Sequence, residues 1–404
     1  MVSISCYGGV NEIGGNKIIV QDGDACFSFD FGTSFGRRQD YFEEYLKTRP
    51  GMGLLDLLYM ELIPPLEGIY RQDLVPSSDF WAQWRSAPHY RRLTLDGVLL
   101  SHAHVDHSGY ISFLDPEIPV YSTVMTAFIS KAMQDSGQAD FEREVCYANL
   151  RTPQEGVLRA SRISRQRPFM FLDGMPGGSA ALSFWNSIPK KKEFQLTSGA
   201  APPDKIGALS FRYFPVDHSI FGATSFAVQT SEGWLGYTGD LRLHGGGQAD
   251  TERFTEEVQK LHPVALLCEG TGAGNEKRVT EDEVYENALR EVRRAEGVVV
   301  ADFGPRNVER LLVFLRIAQE TGRKLLVLGK DAYLLEAMHM ASLQKMPDVM
   351  NSPDILVYKD PKAALQSWER KLHERYGSKV VGAKDVRLQQ GSASCASASG
   401  TSMT

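Results

Sequence analysis

The stretch SHAHVDHSGY, residues 101–110, gathers three histidines and an aspartate into six consecutive positions of a 404-residue chain that has nine histidines in all. It follows directly on LDGVLL (95–100), whose Val98, Leu99 and Leu100 read as a buried β-strand. The cluster therefore falls at the carboxyl end of a strand, the edge where open α/β sheets build ligand sites. Downstream, YISFLDPEIPVYSTVMTAFISKAMQ predicts a short helix, a strand around Val120 and Tyr121, and a longer helix. Such alternation predicts an α/β layered fold.

Spacing supplies the chemistry. On an extended stretch alternate side chains point the same way, so His102 and His104 can approach one ion together. Asp106 and His107 follow in the turn and can face a second. Neutral imidazoles and a carboxylate are ordinary zinc ligands, with manganese or iron as alternatives on softness grounds.

The HxHxDH pattern resembles the signature of the metallo-β-lactamase superfamily, and three further stretches resemble it in the same order. FSFDFG (27–32) is similar to the first motif, which implies that Asp30 ends an early strand and hydrogen-bonds the metal-site residues. FPVDHSIFGATSFAV implies His218 as the next ligand, and LGYTGDLRLHG implies Asp240 as the carboxylate bridging both metals. The opening GGVNEIGGNKIIV, together with VALLCEGTG and its Glu269, resembles the β-CASP nucleases, the branch that includes ribonuclease J. The resemblance implies an αββα sandwich with an inserted β-CASP domain: residues 1–283 as the metallo-β-lactamase domain, with insertions at about 36–93 and 130–200, residues 284–385 as the β-CASP domain, and 386–404 as an irregular tail. It further implies a two-metal phosphodiester hydrolase acting on single-stranded RNA. His102, His104, Asp106, His107, His218 and Asp240 would be ligands, Asp106, Asp240 and Asp30 the catalytic residues, and zinc or manganese the ions. A homodimer or a partner nuclease is also implied.

The β-CASP-like segment can be read physically as well. Thr280 with Glu283 forms a capping box ahead of Val284, Leu289 and Val292 at helical spacing. GVVVADF, NVERLLVFLRIAQETG, KLLVLG, AYLLEAMHMASLQ and DILVY then alternate strand and helix, which predicts a small parallel sheet flanked by helices. FGPRN occupies a strand-to-helix turn, where backbone N–H groups, Arg306 and Asn307 could hold a phosphate; the alternative is an ordinary Gly-Pro turn that starts a helix.

Composition bounds the rest. With 42% hydrophobic and 23% charged residues, the chain can build two or more domains with substantial cores. It has no apolar run long enough to span a membrane and begins without a signal pattern, so a cytoplasmic location is expected. Cys6, Cys26, Cys146, Cys268 and Cys395 show no CxxC pairing and read as buried free thiols. A net charge of −6 does not advertise nucleic-acid binding, although local basic stretches can hold phosphates against it. The candidates are YRRL (90–93), RASRISRQRPF (159–169) and PKKKEF (189–194), with Phe169 and Phe171 placed to stack bases. Residues 36–93 and 130–200, the latter with an expected helix ADFEREVCYANLR, read as elaborations around the active-site face.

One departure bears on activity. The resemblance implies returning strands with a histidine in an HxSGH context, and no such motif follows residue 345; His373, in WERKLHERYG, reads as a surface residue. The chain is accordingly expected to be truncated relative to the family, with an exposed strand edge. A catalytically impaired protein binding RNA or a partner is the alternative function, and a small-molecule metallo-hydrolase a more distant one. The ending LQQGSASCASASGTSMT, rich in small residues and without a periodic apolar pattern, is expected to be disordered or the product of a frameshift.

Overall fold

The apolar runs KIIV and ACFSF are buried on both faces, as strands in the middle of a layered fold must be. In the computed structural model, which describes residues 1–42, 47–189, 193–195, 204–271, 280–304, 307–342, 346–362, 364–388 and 393–397, they are central to the first of three large sheets. Val2–Gly8, Lys17–Asp22 and Ala25–Phe29 pair antiparallel; Gly97–Leu99, Val120–Ser122 and Phe169–Phe171 continue the sheet in parallel. The second sheet is formed by Lys205–Ile206, Leu209–Pro215, Thr224–Thr230, Gly233–Tyr237 and Ala265–Leu267.

The two sheets pack face to face. Phe27, Phe29, Leu99 and Tyr121 of the first meet Phe211, Phe226, Val228, Leu235 and Tyr237 of the second in one apolar cluster. The Phe29 ring lies 4.6 Å from Tyr237 and 6.3 Å from Phe226, centroid to centroid. Helix Gln248–Leu261 covers the outside of the second sheet through Phe254 and Val258, and helix Val124–Ser136 packs on the far side of the first. This is the expected αββα sandwich of a metallo-β-lactamase fold.

The third sheet is wholly parallel, in the order Val299–Asp302, Ala393–Ser397, Lys324–Leu328, Ile355–Tyr358, Val380–Val381. Helices Glu281–Arg294, Val308–Glu320, Gly329–Ala341 and Ser367–Tyr376 flank it. The Thr280–Glu283 capping box forms, but the inward stripe of the first helix is Tyr285, Leu289 and Val292, with Tyr285 in the place expected of Val284. Tyr333 of Gly329–Ala341 donates its hydroxyl to Asp135 of Val124–Ser136 at 3.0 Å, and one apolar cluster runs across both helices.

Several expectations are corrected. Within the expected irregular tail, Ala393–Ser397 is a strand paired on both sides, because backbone N–H and C=O groups, which each of these residues supplies, make a ladder without any apolar pattern. The helix expected over 139–151 is instead a short 3-10 turn, Phe141–Arg143, followed by strand Tyr147–Gln154 in a hairpin with Val157–Gln166. Glu144 is buried and accepts from Arg71 Nη1 and Asn149 Nδ2, both at 2.6 Å. Tertiary pairing overrides helix propensity there.

Within residues 36–93, Leu54, Leu57, Ile63, Leu66, Ile69, Tyr70, Leu74 and Phe80 are core rather than a surface elaboration. Phe169 and Phe171 pack around Trp185 inside the molecule, which removes them as base-stacking platforms. Cys6 and Cys268 are exposed, on and just after edge strands, whereas Cys26 and Cys146 are buried; all four are free thiols. The side chain of Cys395, Lys190 to Lys192 of PKKKEF, and Arg306 lie outside the described residues. Among the described residues no helix is long and apolar enough to cross a membrane.

Arg167, from the basic stretch, is fully buried and is spent on the backbone. Its guanidinium donates to the carbonyls of Val145, Asp115, Ile118, Ile111 and Leu114 at 2.5–3.3 Å, closing the loop between the two parallel strands. Burial pushes its pKa down to about 9, still cationic at neutral pH. Arg167→Met keeps the stem but orphans five acceptors, and should cost about 3 kcal/mol or more, read as a lowered urea midpoint at pH 7.

Candidate metal centre

Strand Ala25–Phe29 ends on Asp30, which turns out of the ladder with a φ of +50° although it is not glycine. Such a conformation persists only where the surroundings over-determine it. Here they do: the fully buried carboxylate accepts from the Ser101 amide (2.7 Å), Ser101 Oγ (2.7 Å), His107 Nδ1 (2.7 Å) and the Tyr237 hydroxyl (2.6 Å). Three strand ends are thereby tied at one point. With its Nδ1–H committed to Asp30, His107 presents Nε2 to Asp240 Oδ1 at 3.2 Å.

His102 and His104 leave the end of Gly97–Leu99, and His218 reaches across from the loop after Leu209–Pro215. His104 Nδ1 lies 3.0 Å from His102 Nε2 and 3.1 Å from His218 Nε2. A ring nitrogen holds one proton or one lone pair, so His104 Nδ1 cannot make both contacts as good hydrogen bonds. A cation among the three nitrogens satisfies all of them. The donor atoms of His102, His104 and His218 fall within 4.8 Å of one another, as do those of His102, His107 and Asp240. Asp240 Oδ2 is 3.8 Å from His218 Nε2 and 4.0 Å from His102 Nε2, so this carboxylate lies between the two groups.

Asp106 is farther out, its Oδ2 3.9 Å from His107 Nε2. Its backbone carbonyl accepts from the amides of Gly15 (3.0 Å) and Asn16 (3.1 Å), which docks the glycine-rich opening of the chain against the site. Gly14, with φ +70°, passes so close that a Cβ there would lie 2.4 Å from the Asp106 side chain. A Cβ at Gly32 would lie 1.6 Å from the Asp106 carbonyl oxygen.

Electrostatics favours cation binding. Burial pushes the His218 pKa down to about 4, which leaves a neutral imidazole, the ligating form. Burial opposes charge on His107, but the Asp30 and Asp240 carboxylates overcome it and hold its pKa well above the ordinary value. Burial likewise raises Asp240, and hydrogen bonding and charge from His107 outweigh it, leaving the carboxylate below its usual range.

Glu269 follows strand Ala265–Leu267, and its carboxylate accepts from the Leu241 amide at 2.5 Å, bracing the loop that carries Asp240. Burial is the main reason its pKa is raised. Asn307 caps helix Val308–Glu320 by accepting from the Arg310 amide at 3.0 Å. Three participants were not singled out from sequence. Ser101 and Tyr237 hold Asp30, and Asn16 Nδ2 donates to the Tyr237 hydroxyl at 3.2 Å. Tyr237 left a signal: a polar-tipped ring in an apolar strand has to find a buried partner.

No family model matches the chain. Curated relatives include ribonuclease J 2 of Streptococcus pyogenes serotype M3, 22% identical over 339 residues, covering 82% of this chain and 46% of the relative. Ribonuclease J of Helicobacter pylori is 20% identical over 341 residues (82% and 37%), and that of Sinorhizobium meliloti 24% over 276 residues (66% and 38%). The chain thus spans less than half the length of the curated relatives it matches. Among solved structures, a protein of unknown function from Enterococcus faecalis V583 shares the fold with a TM-score of 0.62 at 21% identity, covering 99% of this chain and 77% of that one. Four motifs in order, the two-sheet sandwich with its histidine-lined edge and the likeness to proteins named ribonuclease J all agree with the resemblance to the metallo-β-lactamase superfamily and its β-CASP branch.

Proposed function

We propose that this protein hydrolyses phosphodiester bonds in single-stranded RNA with two divalent cations, zinc in the first instance and manganese as the alternative. The observation that carries the reading is the pair of donor groups sharing His102, with Asp240 between them. RNA as the substrate is supported by the likeness to proteins named ribonuclease J. In this reading residues 1–283 form the hydrolase domain and 284–385 the β-CASP domain. A cytoplasmic location and assembly as a homodimer or with a partner nuclease belong to the same reading.

His102, His104 and His218 would hold one cation, Asp106 and His107 the other, and Asp240 would bridge them. When bound, such a pair supplies an activated water as nucleophile and Lewis-acid stabilisation of charge growing on the phosphate oxygens. The chain's own groups prepare the site. Burial keeps His218 unprotonated, and Asp30 fixes the tautomer of His107 so that Nε2 faces inward. Ser101 and Tyr237 hold Asp30 in turn, so the ligand edges of both sheets keep one spacing.

Two variants test this reading. Asp106→Ala should abolish RNA cleavage while leaving the circular-dichroism spectrum and thermal midpoint close to those of the parent, and retained cleavage would sink it. Asp30→Asn turns an amide toward donors that need an acceptor, and should lower metal affinity about 10- to 100-fold in a chelator competition. An unchanged affinity would show that Asp30 does not orient the ligands.

A further inference from the structure

The sequence LRLHGGGQAD, directly after Asp240, contains an arginine and three consecutive glycines that the metal site does not use. Arg242 is largely buried, with 11% of its side chain exposed, between two acids from different parts of the chain. Its Nε lies 3.1 Å from Asp217 Oδ2 and its Nη2 3.2 Å from Asp217 Oδ1. The same Nη2 donates to Glu309, in the first turn of helix Val308–Glu320 beside the third sheet.

The backbone repeats the connection. The Arg242 amide donates to the Asp217 carbonyl at 2.9 Å, the Gly245 amide to Asp217 Oδ2 at 2.8 Å, and the Gly246 amide to Glu309 Oε1 at 3.1 Å. The glycines permit this close approach: a Cβ at Gly245 would lie 2.2 Å from Arg242 Nη2, and one at Gly247 3.2 Å from Asp217. Asp217 precedes His218, and Arg242 follows Asp240 by two residues. One guanidinium therefore joins the loop of a histidine donor, the loop of the central carboxylate and a helix of the parallel-sheet unit.

We infer that Arg242 is a positioning residue, and that through Glu309 it couples the place of the parallel-sheet unit to the spacing of His218 and Asp240. This rests on the two-cation reading above. The physical reason is rigidity: a planar guanidinium shared by two carboxylates fixes both in direction, so a shift of helix Val308–Glu320 is passed to the two donor loops. A long RNA substrate that touches the parallel-sheet unit biases this link. A small diester that meets only the metal site does not.

The test compares Arg242→Met, Arg242→Lys and Glu309→Gln with the parent for zinc affinity by chelator competition, and for kcat and KM on single-stranded RNA and on bis(p-nitrophenyl) phosphate. Arg242→Met should weaken zinc binding about tenfold or more, because both donor loops lose their tie. Lysine, a single point charge that can still meet Asp217, should restore zinc affinity but not the rate on RNA. Glu309→Gln should leave zinc affinity and turnover of the small diester unchanged and lower kcat on RNA about tenfold, with KM little moved. Zinc affinity unmoved in Arg242→Met, or equal loss on both substrates in Glu309→Gln, overturns the coupling alone. A parent protein that binds no divalent cation overturns the metal reading itself, and the coupling with it.

Discussion

Four hydrogen bonds to one buried carboxylate hold this architecture together. Asp30 ends strand Ala25–Phe29, and its oxygens gather Ser101 from the strand end that bears the histidines, His107 from the turn beyond, and Tyr237 from the opposite sheet. A charge left in such a place without partners would cost several kcal/mol, so its donors are as necessary to the fold as to the site. The residue also accepts a left-handed backbone, which directs its carboxylate back into the gap between the sheets. Fold and site are therefore not separable at this point. The same contacts set the spacing of the two sheet edges and the orientation of an imidazole.

From there the site spreads along loops anchored to different layers. The glycine-rich opening reaches the Asp106 carbonyl from one edge of the first sheet, and Glu269 steadies the Asp240 loop from the edge of the second. Each anchor is a hydrogen bond to or from the backbone, contributed by a segment next to an edge strand. Rigid strands with donors at their ends are what a multi-ligand centre requires, because a ligand set gains affinity from being held before the ion arrives.

Legibility followed the range of the interactions. The strand before the cluster, the helix after Val120 and the alternating elements around 299–358 were readable because their apolar spacing is local. The histidines and Asp240 were readable because their residue types and order are distinctive. Contacts between distant segments were not. Glu144 sits in a stretch with helical composition, yet its partner is Arg71, 73 positions away, and the strand that follows it pairs with Val157–Gln166. Tyr237 and Asn16 are 221 positions apart, and nothing local in either marks their meeting. The strand Ala393–Ser397 shows the limit most plainly: its neighbours provide a ladder, and its sequence carries no sign of one.

Charge followed the same rule, and here the consequence is functional. The arginines of 159–169 look like a single basic face when written in a line, but the fold divides them. Arg159 and Arg162 remain exposed on the hairpin, Arg165 pairs with Glu117, and Arg167 turns inward to five carbonyls. Arg71 and Arg151 are likewise buried against Glu144 and add nothing to an outer field. The fold thus removes Arg71, Arg151 and Arg167 from any outer basic face of this chain of net charge −6. In the proposed reading, ions held at the histidine-lined edge would supply the attraction for a phosphate there. An ion there would fix the substrate where the chemistry occurs, whereas a diffuse basic face would hold it anywhere along its length.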